Sequence, residues 1–307
     1  MPNCTLVQYY AVCFDLIHKG AKGMKHAGII LFYVVAVIAA VYARTVQILY
    51  LTEENSGLFI PGAESAAIAL AVFIVLAVAA ACFISCLSAR VPKGSPKGTP
   101  VISAAYVLFA AACLFECLCV DYYAASYFLA MLTRLFAALS SLCLLLGAFS
   151  KRFVSANGAV RTVLLVPVAF LLLKLVSVFT AYAAVSVVAS NVFYLAFLAG
   201  ATVYMLLMAK FENGITPRRS SYSLLPATVF VTAAACCCVV PWIITAMLGR
   251  SELLHDRPDS LVLCAAFAVF ANVYTFSVYR RENLLEEDAA SEDGETPCSD
   301  SAGEPGE

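Results

Sequence analysis

Charged residues are scarce in this sequence. They make up only 13% of its 307 residues, whereas 63% are hydrophobic and the mean hydropathy is +0.90. Soluble globular chains contain roughly 25% charged and about 45–50% apolar residues. So few charges cannot cover a water-exposed surface, so the composition excludes an ordinary soluble domain and predicts a surface that faces lipid. It also lacks the clustered bases and interleaved aromatics of a nucleic-acid-binding surface, so nucleic acid is not expected as a partner.

Histidine and the common catalytic motifs are also missing from the apolar parts of the chain. The three histidines, His18, His26 and His255, all lie outside the long apolar runs. Membrane zinc and haem sites usually draw histidine from helix interiors, so no metal and no cofactor is predicted. The sequence contains no Gly-x-Ser-x-Gly elbow, no HExxH motif and no glycine-rich phosphate loop. It therefore identifies no catalytic residue and does not favour an enzyme.

Cysteine, by contrast, is frequent. Ten of the 13 cysteines lie within apolar runs, where a thiol packs as a small hydrophobic group. Since none falls in a connection that we place outside the cell, we expect no structural disulfide.

Long apolar runs dominate what remains. A helix needs about 20 apolar residues to cross a hydrocarbon core of roughly 30 Å. The pattern therefore predicts an all-α, polytopic transmembrane helical bundle, with a tight turn at residues 121–123 between the third and fourth spans. The eight predicted spans are 28–50, 66–89, 101–120, 124–149, 162–184, 191–209, 224–248 and 260–279.

Connections that are rich in lysine and arginine alternate along the chain with connections that have few or none. Fourteen lysines and arginines lie in the N-terminal segment, in the connections 90–100, 150–161 and 210–223, and just after the last span. The opposite side has only Arg250 and Arg257. Short cytoplasmic loops are enriched in bases, so both ends of the chain are predicted to be cytoplasmic. The alanine- and leucine-rich bundle with short loops is typical of a bacterial plasma membrane.

The sequence divides into three regions. Residues 1–27 are predicted to be cytoplasmic and to carry an interfacial amphipathic helix, because residues 4–17 place apolar side chains at spacings of three and four. An ordinary helix packed on the bundle is the alternative. Residues 28–281 form the transmembrane domain. Residues 282–307 are acidic and poor in large apolar residues, so a disordered cytoplasmic tail is expected.

Four ionisable residues lie at membrane depth: Arg44, Glu116, Arg134 and Lys174. A charge at the centre of a bilayer costs about 2.5–3.5 kcal/mol, so each should have a partner or water. Arg44 is near the outer end of the first span, and we expect its side chain to reach the outer interface. Arg134 and Lys174 are expected near the midplane.

Two interpretations of Glu116, Arg134 and Lys174 are open. In the first, Glu116 and Arg134 form a structural ion pair across a helical hairpin, which leaves Lys174 without an acidic partner in any span. In the second, Arg134, Lys174 and Glu116 line a cavity that opens outward and binds an anionic small molecule or a lipid headgroup. Small residues on the same helical faces, such as Ala130, Ala137 and Ser177, favour faces turned toward protein or a cavity.

Two prolines within the predicted spans, Pro167 and Pro241, are candidate helix kinks of the kind found near transporter substrate sites. The combined pattern favours a transporter or a permease-like binding protein. A membrane sensor or accessory subunit without catalytic activity is the first alternative, and an intramembrane enzyme acting on lipid-linked substrates is the second. Beyond the lipid bilayer and a small anionic ligand, the sequence identifies no partner protein.

The distribution of bases gives a direct test. Reporter fusions or cysteine labelling should place the 90–100 and 150–161 connections on the same, cytoplasmic face of the membrane, because an even number of spans separates them. Labelling of these two connections from opposite faces would contradict the predicted number of spans.

Overall fold

The described part of the chain is almost entirely helical. The computed structural model describes residues 31, 33–53, 59–88, 100–119, 127–149, 163–183, 189–213, 224–250 and 258–292. The predicted all-α bundle is therefore confirmed. In chain order the helices are α1 (Tyr33–Leu51), α2 (Glu64–Ser88), α3 (Pro100–Leu118), α4 (Tyr127–Phe149), α5 (Leu165–Ala183), α6 (Ala189–Glu212), α7 (Leu224–Met247) and α8 (Pro258–Glu292).

Seven of these helices are long and apolar enough to cross a membrane. The apolar part of α5, Leu165–Ala181, is shorter than the other seven but still within the range of about 17–25 residues seen for spanning helices. The chain is therefore a multi-pass membrane protein. The count of eight spans and the cytoplasmic position of both ends stay predictions, and the interfacial helix at 4–17 and the turn at 121–123 lie outside the described residues.

Proline and glycine mark several helix ends. Pro100 and Pro258 are the first residues of α3 and α8, where the missing N–H removes no helical hydrogen bond. At the other end of α7, Gly249 adopts a φ of 73°, a left-handed conformation that suits glycine. Its N–H donates to Ala246 O at 3.0 Å and the Arg250 N–H donates to Thr245 O at 3.2 Å. These bonds satisfy carbonyls of the last turn and end the helix.

The last helix is longer than the sequence analysis predicted. Its apolar window is Ser260–Val278, but α8 continues to Glu292. The helix therefore extends past residue 282, where the disordered tail is predicted to begin. Residues 293–307 lie outside the described residues, and the disordered tail stays a prediction. Leucine, glutamate and alanine in the segment 284–290 have high helix propensity, which favours this continuation of the helix.

Six helices form a closed ring. Each of α3 to α7 contacts the next helix along the chain, and α8 closes the ring by packing between α7 and α3. The interior of the ring is filled by aromatic side chains rather than by a channel. Phe109 of α3 lies edge-on to Phe267 of α8, with ring centroids 5.0 Å apart, and Phe197 of α6 lies edge-on to Phe267 at 5.8 Å.

Helices α1 and α2 pack against the outside of this ring. Ala40 and Ala43 of α1 form a buried cluster with Ile74 of α2 and Cys237 of α7. Small side chains at these α1 positions let the backbones approach closely, which is the usual way for helices to pack in lipid. The α1–α2 hairpin is thereby attached mainly to α7.

Gly200 is required where α6 meets α7. A Cβ atom at this position would lie 2.6 Å from two ring carbons of Phe230 and 3.1 Å from a methyl group of Val231. Contacts below 3 Å force the neighbouring side chains or backbones to shift. The absence of a side chain therefore sets the distance between α6 and α7.

We predict that Gly200→Ala lowers the thermal unfolding temperature of the purified protein in detergent. Overpacking of this kind costs about 1–3 kcal/mol, which exceeds the gain of about 1 kcal/mol from alanine in a helix. The matched control is Gly147→Ala in α4, where the new Cβ would be 3.6 Å from the ring of Tyr106, an ordinary contact. An equal or greater loss for Gly147→Ala would contradict this explanation.

Candidate functional site

Three charged side chains meet in one cavity between α3, α4 and α5, near the end of the bundle at which α3 ends and α4 begins. We call that end of the bundle the predicted outer end. We call the cavity and its walls the Arg134 cavity. Its lining residues are Glu116, Cys119, Ala130, Thr133, Arg134, Ala137, Phe170, Lys174 and Ser177. The sequence-based prediction that Arg134, Lys174 and Glu116 lie together is consistent with this arrangement.

Glu116 of α3 forms a buried ion pair with Lys174 of α5. Lys174 Nζ donates to Glu116 Oε2 at 2.7 Å, and the two side chains are only 5% and 2% exposed. The predicted Glu116–Arg134 pair is therefore wrong, and so is the corollary that Lys174 lacks an acidic partner. The error arose because Glu116 was paired within the nearest hairpin, whereas α4 contacts both α3 and α5 and lets their side chains meet across its surface.

Arg134 of α4 is the remaining cation of the cavity. The structure gives it no ion pair with a described residue, and its buried Nε–H has no hydrogen-bond partner among them. A buried donor without a partner costs about 1–3 kcal/mol, so such groups are normally satisfied by water or a ligand. Arg134 is thus the side chain of the cavity with donor capacity to spare.

Small residues of α4 create the space. Ala130, Thr133 and Ala137 lie on the face of α4 that carries Arg134, and Thr133 turns its hydroxyl toward Leu129 O at 2.8 Å. The volume available to the centre of a water molecule is about 10 Å³, which is close to what one bound water requires. The cavity therefore suits a water molecule, a small ion or a single anionic group of a larger molecule.

The three charged residues occupy different positions along their helices, and Lys174 is at the middle of α5. Glu116 is next but one to the last residue of α3, and Arg134 is seven residues after the first residue of α4, or about 10 Å along the axis. The expected midplane positions of Arg134 and Lys174 stay predictions. Helix α4 begins at Tyr127, three residues later than the predicted span, so Arg134 is fewer residues from the start of its helix than the sequence predicts.

Arg44 is buried rather than extended toward an interface. Its side chain is 3% exposed, donates to Gln47 Oε1 and lies with its guanidinium carbon 4.7 Å from the centre of the Phe193 ring of α6. Gln47 Nε2 in turn donates to Ala67 O of α2 at 2.9 Å. The expected snorkelling is therefore wrong, because an amide and an aromatic face within the protein solvate the guanidinium. Arg44 does not line the Arg134 cavity.

The two candidate kinks differ in position. Pro241 lies inside α7, where its own carbonyl accepts a bond from Thr245 Oγ1 at 2.8 Å. Pro167 is the third residue of α5, where proline removes no bond within the helix. Of these two prolines, only Pro241 therefore interrupts the hydrogen bonds of a helix.

A second polar cluster was missed by the sequence analysis. Glu212, at the far end of α6, is buried and accepts a hydrogen bond from Tyr274 of α8. Nearby, the hydroxyls of Tyr204, Thr228 and Thr275 bond one another at 2.8–3.1 Å. Glu212 follows Lys210 at the end of an apolar run and was counted with the connection. No spacing in the sequence links these residues, because they come from three separate helices.

Metal-binding groups do not cluster in the part of the chain that is described: no set of three or more histidine, cysteine or acidic side chains is close enough to hold an ion. Nine cysteines among the described residues are free thiols, including Cys113 on α3 and Cys119 directly after it. The charged cavity is therefore the best-supported candidate site among the described residues.

The fold and this cavity define the class of protein: an α-helical, multi-pass membrane protein with a charged site between three helices. Comparisons with protein-family models, with curated proteins and with solved structures found no match. Its function is therefore argued from the cavity.

The ion pair yields a stability prediction. Glu116→Gln should destabilise the protein by about 3–5 kcal/mol, because it leaves Lys174 charged and buried without its carboxylate. The double variant Glu116→Gln/Lys174→Gln should recover much of that loss, since neither member of the ion pair is then left as a buried charge without the other. Unfolding of the purified variants in detergent provides the measurement, and a double variant that is less stable than the single one would contradict the prediction.

Proposed function

We propose that this chain is a permease-like transport protein of the plasma membrane, and that it binds a small anionic molecule or a lipid headgroup in the Arg134 cavity. The observation that carries the proposal is the buried Nε–H of Arg134, which has no hydrogen-bond partner among the described residues and borders a cavity. Anions are the ligands that such a group prefers.

The charges of the cavity favour a ligand with a negative charge. Glu116 and Lys174 neutralise each other at 2.7 Å, so the formal charge of the cluster is that of Arg134 alone. Interactions between charges are stronger in the low dielectric of a membrane protein than in water. A guanidinium also offers a planar set of donors that matches a carboxylate or phosphate. A singly charged anionic group would therefore balance the cluster.

Two features favour transport over a passive accessory role. The ion pair and the cavity lie within a multi-pass bundle, which is the architecture of permeases. Pro241 also interrupts the hydrogen-bonding pattern of α7, and such breaks accompany movement of helices in transporters. The aromatic packing at the centre of the ring corresponds on this proposal to a closed conformation.

The test uses Arg134→Gln. Because Arg134 has no ion pair with a described residue, its removal leaves no carboxylate among those residues uncompensated, and we expect the variant to fold. We expect wild-type protein to be stabilised against thermal unfolding by at least one anion in a panel of chloride, nitrate, acetate and phosphate salts. Arg134→Gln should lose that stabilisation, and uptake of the same anion into sealed vesicles should fall at least tenfold, corresponding to roughly 1.4 kcal/mol.

Lys210→Gln is the matched control. Lys210 is an exposed cation in the last turn of α6 and does not line the cavity, so its loss removes the same charge without touching the site. Uptake and stabilisation should be unchanged in this variant. Equal anion affinity in wild-type protein and Arg134→Gln would refute the proposed site.

A further inference from the structure

Lys174 has a carboxylate at the position where a bound anion would also be attracted. Glu116 Oε2 lies 2.7 Å from Lys174 Nζ, and both side chains line the same cavity as Arg134. An anion that enters this cavity therefore meets two cations and one fixed carboxylate. The carboxylate repels the anion and competes with it for Lys174.

Protonation of Glu116 removes this competition. A neutral carboxyl group no longer repels the anion, and Lys174 becomes available to it. Conversely, an anion that takes over Lys174 would leave the Glu116 carboxylate buried without its cation, which strongly favours uptake of a proton. Proton binding and anion binding therefore stabilise each other, and by linkage each must raise the affinity for the other by the same factor.

We propose that the Arg134 cavity binds its anion together with one proton, and that Glu116 carries that proton. This inference rests on the proposed anion site. The charges balance: one anion and one proton enter, so the formal charge of Glu116, Arg134 and Lys174 with the ligand stays that of the empty cluster. The anion then bridges Lys174 and Arg134, and the protein acts on the anion and the proton as a neutral pair.

Few other titratable groups face Glu116. Its own helix contributes the thiol of Cys113, and Cys119 follows directly after that helix. Helix α4 contributes Arg134 and α5 contributes Lys174. Helix α8 is the other main neighbour of α3, and none of the titratable side chains in its described part lines the cavity. Arginine stays charged at all accessible pH values, so Glu116 is the group most suited to exchange a proton on anion binding.

The small volume limits the ligand to one singly charged anionic group. Such a group is present on a free ion and on the headgroup of an acidic lipid. Chloride in detergent without acidic lipid tests the free ion, and nanodiscs with and without an anionic lipid test the headgroup. Chloride does not bind a proton at these pH values, so any proton that is taken up must bind to a group of the protein.

Calorimetric titration with sodium chloride, in buffers of different ionisation enthalpy, counts the protons taken up. Over the pH range in which Glu116 is ionised we expect about one proton per chloride, and an apparent Kd that rises about tenfold for each pH unit. The double variant Glu116→Gln/Lys174→Gln should bind chloride through Arg134 without proton uptake and with an affinity that does not depend on pH. Cys119→Ser is the matched control for the other titratable group of the lining, and it should keep the proton uptake.

The outcomes separate this inference from the proposed function. Chloride binding without proton uptake in wild-type protein overturns the coupling and leaves the anion site intact. Proton uptake that persists in the double variant or disappears in Cys119→Ser assigns the proton to another group and also overturns it. If wild-type protein binds neither chloride nor acidic lipid, the anion site itself is wrong and the coupling falls with it. The wild-type titration decides whether chloride and proton binding are coupled, and the two variants decide whether Glu116 carries the proton.

Discussion

Charge in a low-dielectric interior is the constraint on which this structure depends. Glu116 and Lys174 are both buried, and neither could remain ionised in the membrane without the other. Their 2.7 Å contact therefore requires the C-terminal end of α3 and the middle of α5 to lie on the same face of α4. The position of the cavity follows from that requirement.

The three cations Arg44, Lys174 and Arg134 have different surroundings, and only the first two are buried. Lys174 has a carboxylate, and Arg44 has the Gln47 amide and the Phe193 ring. Arg134 has neither, and instead borders a water-sized cavity next to the ion pair. Arg44 thus helps to hold the α1–α2 hairpin on α6, whereas the Nε–H of Arg134 has no hydrogen-bond partner among the described residues.

The remaining polar groups and small residues support this arrangement. The aromatic side chains of Phe109, Phe197 and Phe267 pack inside the ring. The charged cavity borders the same hydrophobic core, because Ala137 and Phe170 belong to both. Alanines on α4 leave room for the long side chain of Lys174, and Gly200 lets α6 and α7 come close together. In lipid the hydrophobic effect contributes little to helix association. Close van der Waals packing at alanine and glycine therefore contributes much of the stability of the bundle.

The sequence by itself determined the class of protein and the helices, because a lipid environment forces every long apolar run to satisfy its backbone internally. The helix limits agree with the predicted spans to within a few residues, except at α8, which continues into the acidic segment. The sequence also identified the charged residues at membrane depth. Only the tertiary structure decided their partners: Glu116 with Lys174, and Arg44 with Gln47 and Phe193. Those choices depend on which helices are neighbours, and hydropathy carries no information about that.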